Sequence, residues 1–365
     1  MIQQLLQYEK FKEMDMSIFV DKIELCGGMN IRKSIKKIFS KKRIAIEEET
    51  SLLLQYWIRT SPLDKEWIND LDNIIAKYIK AKVYTQLKVF EGHTVIHKKI
   101  VSSSNDDTVR IWDVESGAVI YILKGHSYWV YDAQFSPNDD MVVSCSFDKT
   151  VRLWDVQSGK EIRKFEGHTE GITRAQFSPD GNMIASSSMD ATIRLWNTNS
   201  GKAIKKLKGH SDGVNDVQFS PRDRTLVSAS FDKTIKIWNV KSGEMLCTLI
   251  GHLDVVDRAQ FSPDGLSIVS CSLDNTIRIW NVATEKEIRV LRGHLSNVSN
   301  IAISSDGQSI VSCSFDRTIR MWDARLGQQV LQFEGHSESI VGLDFSLRGN
   351  RIISSSKDKT IRLWG

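Results

Sequence analysis

Tryptophan recurs at Trp112, Trp154, Trp196, Trp238, Trp280, Trp322 and Trp364, an unbroken spacing of 42 residues. Gly-His pairs keep the same interval from His126 to His336, and four Ser-Pro dipeptides are spaced alike. A sequence this regular is a repeat array, in which each unit buries its apolar face only by stacking on its neighbours.

Within each full repeat the residues read as short strands. GHTEGITRAQFSPDGNMIASSSMDATIRLW holds an apolar-alternating run, a Ser-Pro-Asp-Gly turn, a small-residue strand, an Asp turn and a Thr-Ile-Arg-Leu-Trp strand; a fourth strand such as KEIRKFEGH leads into the next unit. Runs this short, punctuated by Gly, Pro and Asp, predict an antiparallel all-β array with no helical period. With Gly-His early and Trp-Asp late, residues 84–365 resemble the WD40 family. That resemblance implies a seven-bladed β-propeller over residues 83–365.

The last repeat stops at Gly365, directly after its Trp strand, while Val83–Phe90 supplies a spare strand ahead of the first repeat. The expectation is that this strand closes the ring on the last blade and leaves no open edge. The first repeat is nine residues short, because the interval from His93 to Trp112 is 19 residues against 28 from His126 to Trp154. The missing text corresponds to the innermost strand and its turn, so that strand should be stunted.

Each repeat also carries a His, a strand Ser, an Asp six residues before the Trp, and the Trp. The sets are His126, Asp148, Trp154; His168, Asp190, Trp196; His210, Asp232, Trp238; His252, Asp274, Trp280; His294, Asp316, Trp322; and His336, Asp358, Trp364. Ser, His and Asp together suggest a hydrolase triad. Repetition around a ring argues against it, because an enzyme needs one nucleophile. The WD40 resemblance instead implies a structural hydrogen-bonded network from Trp through Ser and His to Asp. In the second repeat the serine is Ser144 or Ser146. The cations of the Trp strands (Arg110, Arg152, Arg194, Lys236, Arg278, Arg320, Arg362) alternate with apolar residues, which predicts a solvated face or ion pairs between blades.

Function should lie where the repeats differ. The residue before each turn Asp is Asn105, Phe147, Met189, Phe231, Leu273, Phe315 and Lys357. The resemblance puts this position on the top face, where five apolar residues would form a partner-binding arc. Trp129, Tyr131, Asp132, Arg174, Asp216, Asp257 and Arg258 stand near it and add aromatic and charged hot-spot chemistry. The segment Ile310–Arg325 also fits a box found in propeller receptors of cullin-RING ubiquitin ligases, with Arg325 as the adaptor contact. A protein-interaction scaffold without catalytic activity is the leading expectation; a ubiquitin-ligase substrate receptor is the alternative.

The formal charge of +4 is too small to point to nucleic acid, and residues 84–365 carry only +1 of it. Five cysteines without a CxxC pair give no zinc site and fit a reducing compartment, cytoplasmic or nuclear. Nothing calls for a cofactor. The N-terminus lacks the apolar core of a secretory signal, and no stretch approaches a membrane span. Residues 1–49 include the basic run Ile31–Arg43, seven cations without an acid, with Ile31, Ile35, Ile38 and Phe39 at helical spacing for a peripheral membrane or acidic-partner contact. Residues 50–82 read as a helical hairpin: Ser61-Pro62 begins its second helix, and Leu63, Trp67, Leu71, Ile74, Ile75 and Tyr78 form one face.

Overall fold

The computed structural model describes residues 86–90, 95–96, 99–113, 116–222, 224–345 and 351–364. Residues 1–85, which include the basic segment and the helical hairpin, lie outside the described residues. Among the described residues twenty-eight strands form seven antiparallel sheets of four. The third sheet shows how a repeat becomes a blade: Ile172–Phe177 is innermost, followed outward by Met183–Ser188, Thr192–Asn197 and Ala203–Lys208.

Burial follows from stacking. The second strands are buried on both faces because a blade lies on either side, whereas an outer strand such as Ala203–Lys208 buries Leu207 alone. The core is therefore a series of interfaces between blades. Val143, Cys145, Val151, Leu153 and Phe165 of the second blade meet Ile172, Ala175, Phe177, Ile184 and Trp196 of the third. Cys145, Cys271 and Cys313 are free thiols at 0% exposure in such interfaces, as small strand residues should be. The turn between second and third strands repeatedly needs a left-handed residue, filled by Lys149, Ala191, Lys233, Asn275, Arg317 and Lys359 at φ 61–71°. The turn Asp offsets this strain by accepting hydrogen bonds from the backbone and side chain of the following Thr, as Asp190 does from Thr192.

The last blade is built from both ends of the array. Gln86–Phe90 is its outer strand, antiparallel to Ile361–Trp364, with Lys88 opposite Leu363 and Phe90 opposite Ile361. The first blade's inner strand has only two residues, Val95–Ile96, paired with Ile100 and Lys99. Val95 thus takes the place of Phe135 in the second blade, and among the described residues the inner-strand positions above it, those of Ala133, Asp132 and Val130, have no strand counterpart.

Candidate functional site

The His, Ser, Asp and Trp of each repeat converge. In the second blade His126 Nδ1 lies 2.8 Å from Asp148 Oδ2 and Nε2 lies 2.8 Å from Ser144 Oγ, which also accepts from Trp154 Nε1 at 2.8 Å. Ser144 is therefore the network serine, while Ser146 donates to the Tyr128 carbonyl. Proton placement follows: Trp N–H donates to Ser, Ser O–H to Nε2, and Nδ1–H to the carboxylate. The same connections recur through Ser186, Ser228, Ser270, Ser312 and Ser354. These serines are at most 1% exposed and their hydroxyls are already engaged, so no substrate carbonyl can reach them. The network satisfies buried polar groups and ties the third strand to the loops above it.

Its titration reflects that role. Burial pushes the Asp148, Asp190, Asp232, Asp274 and Asp316 carboxyls up, but hydrogen bonds from His and Thr outweigh it and hold them well below the usual range; Asp358 is lowered to about 2. For His168, His252, His294 and His336 burial wins over the Asp partner and lowers the imidazole. The stability these groups contribute is complete above their unfolded values, near 6.5 for His and 3.9 for Asp, and is lost as pH falls below them.

The upper face, where the Gly-His loops and the second-to-third strand turns lie, differs from blade to blade. On the second blade Tyr128, Trp129, Tyr131 and Phe147 are 38–45% exposed. Their rings form one tilted cluster, with centroids 5.2 Å apart for Tyr128 and Trp129, 5.5 Å for Tyr128 and Phe147, and 6.1 Å for Tyr131 and Phe147. Phe147 lies over Gly171 of the next blade, where a Cβ would clash with the ring. The rest of the predicted arc, Met189, Phe231, Leu273 and Phe315, is half-buried. Met189 and Phe231 close over Gly213, and Lys357 Nζ sits 5.0 Å above the Phe315 ring. Tyr128 was missed in the sequence. Its signal was there, because Glu170, Asp212, Asp254, Ser296 and Glu338 occupy the same repeat position.

Arg174 and Arg258 do not project from this face. Their side chains, 13% and 19% exposed, lie in an ion-pair chain along the inner strands. Arg174 reaches Asp132 at 3.1 Å and Asp216 at 3.4 Å, and Arg258 reaches Asp216 at 3.5 Å. Burial raises Asp257 and Asp344, each to about 6, against the pull of the arginines. Stability from such groups is present below about 3.9 and lost as pH rises through 6. Asp344→Asn is therefore expected to raise stability at pH 7.5 by about 1–2 kcal/mol and to change little near pH 4, read from denaturant midpoints at the two pH values. Arg325 is exposed in the loop after the sixth blade's third strand, on the face opposite the aromatic cluster.

Arg110, Arg152, Lys236, Arg278 and Arg320 find partners within their own blade, on the outer strand or in the turn, and not between blades, one of the two roles the sequence offered. Arg152 is bonded to Glu161 and Arg278 to Glu287, Arg320 Nη1 donates to Gln329 at 2.6 Å, and Arg110 to Asp106 at 2.8 Å. For Arg152, Arg278 and Arg320 the geometry favours this because cation and acceptor sit on adjacent strands of one sheet. Among the described residues no three His, Cys, Asp or Glu side chains are grouped to hold a metal ion, and no helix is long and apolar enough to cross a membrane.

Comparison with known proteins gives the same periodicity. Over 44 residues, 12% of the chain, it is 43% identical to WD repeat and SOCS box-containing protein 1 of Homo sapiens and to that of Xenopus tropicalis, covering 10% of each. It is 41% identical, also over 44 residues, to Ribosome assembly protein 4 of Chaetomium thermophilum, covering 8% of that protein. The chain thus spans a small part of these relatives. The family description "WD domain, G-beta repeat" matches residues 84–113, 117–155, 159–197, 201–239, 243–281, 285–323 and 327–365, one segment per blade, and the chain belongs to the WD40-repeat family.

Proposed function

We propose that this protein is a non-catalytic interaction scaffold whose principal docking surface is the aromatic cluster on the upper face of the second blade. The observation that carries the reading is that Tyr128, Trp129, Tyr131 and Phe147 stand together and exposed, and that at the first three of these positions no repeat from the third blade to the last places an aromatic residue. Large aromatic side chains contribute much apolar area for little ordering entropy and dominate binding hot spots. The buried serines leave the networks without a nucleophile, and the free thiols fit a cytoplasmic or nuclear location.

Trp129→Ala with Phe147→Ser is expected to weaken the main protein partner by roughly 100-fold, since hot-spot truncations cost about 2 kcal/mol or more each and partly overlap. Melting should barely move, because both side chains face solvent. Phe231 is the poorer choice, being half-buried where Phe147 is exposed. Proximity labelling identifies the partners and calorimetry measures the pair. Retained partners at unchanged affinity would remove this surface from consideration.

A second reading, a substrate receptor of a cullin-RING ubiquitin ligase, is supported by exposed Arg325 on the opposite face and by the likeness to a WD-repeat protein named for its SOCS box. It requires an adaptor and cullin to co-purify and Arg325→Ala to release them.

A further inference from the structure

The outer hairpins carry charges that balance in one blade and not in the next. In the second blade Arg152 lies opposite Lys164, Trp154 opposite Glu161, and Thr150 opposite Glu166. Both cations are satisfied on that face, Arg152 by Glu161 and Lys164 by Glu166 at 2.5 Å. The third blade has the same register with different residues. Arg194 lies opposite Lys206, Trp196 opposite Ala203, and Thr192 opposite Lys208. Both acids are thus replaced, one by a methyl and the other by a third cation. Lys202 adds a further exposed charge, and no Asp or Glu occurs from Ala191 to Gly209. Among the described residues Arg194 has no carboxylate or carboxamide acceptor and lies against its own Trp196, 5.7 Å from the ring centroid.

Like charges directly opposite on a sheet face are destabilising, so this arrangement weakens the blade that holds it. Lysines on an edge strand can also guard against edge-to-edge aggregation. That role does not account for the cluster, because the outer strand of the fourth blade, Met245–Ile250, has no charge and is as much an edge. The first and fifth blades also carry a cation at the Lys208 position, Lys124 and Arg292, but among the described residues only the third combines it with a cation directly opposite its Trp-strand cation, so that Arg194, Lys206 and Lys208 share one face without an acid, next to a row of free backbone groups.

We propose that the outer edge of the third blade binds an extended acidic segment of a partner protein, which adds as a fifth strand beside Ala203–Lys208 and sets carboxylates at alternate positions against Arg194, Lys206 and Lys208. Strand addition supplies the backbone hydrogen bonds. The period of two supplies the register, since alternate side chains of the incoming strand share the face that carries the cations. The partner's carboxylates then do for Arg194 what Glu161 does for Arg152. This surface is separate from the aromatic cluster and stands without it.

The test uses the full chain and a fluorescein-labelled peptide of alternating Glu and Val, with binding read by anisotropy at low salt. Saturable binding is expected, weakening steeply as salt rises. Ala203→Glu with Lys208→Glu restores the second blade's pattern, satisfies the cations internally, and is expected to reduce affinity roughly tenfold or more without lowering the melting temperature. Lys206→Ser with Lys208→Ser is expected to do the same by removing charge. A peptide of equal composition with its Glu and Val in separate blocks should bind severalfold more weakly. Equal affinity for both variants, equal affinity for block and alternating peptides, or displacement of the peptide by a lower concentration of single-stranded oligonucleotide would each overturn the proposal, the last in favour of nucleic acid.

Discussion

Removing residues 1–90 is expected to abolish the propeller as a cooperative unit, leaving a chain that aggregates on refolding. Among the described residues Gln86–Phe90 is the only strand that covers the edge of Ile361–Trp364. Four residues of this strand have register partners there, and the backbone bonds between such strands contribute about 0.5–1.5 kcal/mol each. Their loss alone is several kcal/mol, comparable to the whole stability of many domains. The indirect effect is larger. The strand also fastens the first blade to the last, so without it the array has two ends, and stacked units fray from their ends. In that interface Ile100 and Trp112 of the first blade pack on Ile353, Ile361 and Leu363 of the last, and this packing is held in place by closure. Size-exclusion chromatography and thermal melting decide the matter. A monomer with an unchanged melting temperature would show that closure contributes nothing. Deleting residues 1–82 should leave the ring intact.

Asp232→Ala is expected to destabilise the protein by about 3–4 kcal/mol, with no change in register elsewhere. Its carboxylate, 7% exposed, accepts from His210 Nδ1 at 2.7 Å, from the Ser211 and Thr234 backbone N–H groups at 3.1 and 3.0 Å, and from the Thr234 hydroxyl at 2.6 Å. Alanine leaves the buried imidazole donor without an acceptor, at about 1–3 kcal/mol, and also removes the acceptor of the half-buried Thr234 N–H and of the exposed Ser211 N–H, which lose about 0.5–1.5 kcal/mol each. The left-handed Lys233 also loses the side chain that holds its turn. Asp106 provides the comparison within the same chain. It occupies the corresponding turn of the first blade but is 44% exposed and pairs with Arg110 at the surface. Asp106→Ala should cost under about 1 kcal/mol, as exposed ion pairs do. Denaturant midpoints of the two variants separate the cases. A turnover lost in Asp232→Ala at unchanged stability would instead return the network to a catalytic role.

The two variants also show how far a repeat sequence can be read. The interval of 42 residues dictated the blade count, the strand sequence within each blade, the spare strand at the start and the stunted first inner strand. All of these follow from local pattern: an alternating run bounded by turn residues is a strand whatever surrounds it, and a period of one supersecondary unit can bury its apolar faces only by stacking. Cys145, Cys271 and Cys313 were legible as buried small residues for the same reason, since they alternate with Ser and Ala at one repeat position.

Tertiary structure alone decided which of those repeated positions are available for function. Ser144 and Ser146 differ by two places on one strand, and only the reach of His126 and Trp154 selects the first. Met189, Phe231 and Phe315 share a repeat position with Phe147, yet their exposure depends on what the adjacent blade presents beneath them. Arg174 and Arg258 are adjacent to the upper face in sequence terms, but Asp132 and Asp216 on neighbouring inner strands draw them into the channel wall. Arg194 reads like every other Trp-strand cation until the pairing shows Lys206 opposite it and Ala203 opposite Trp196, where the second blade has Glu161. A repeat motif specifies the unit; contacts between units join residues some 42 positions apart, and those depend on side-chain direction and packing that no local pattern carries.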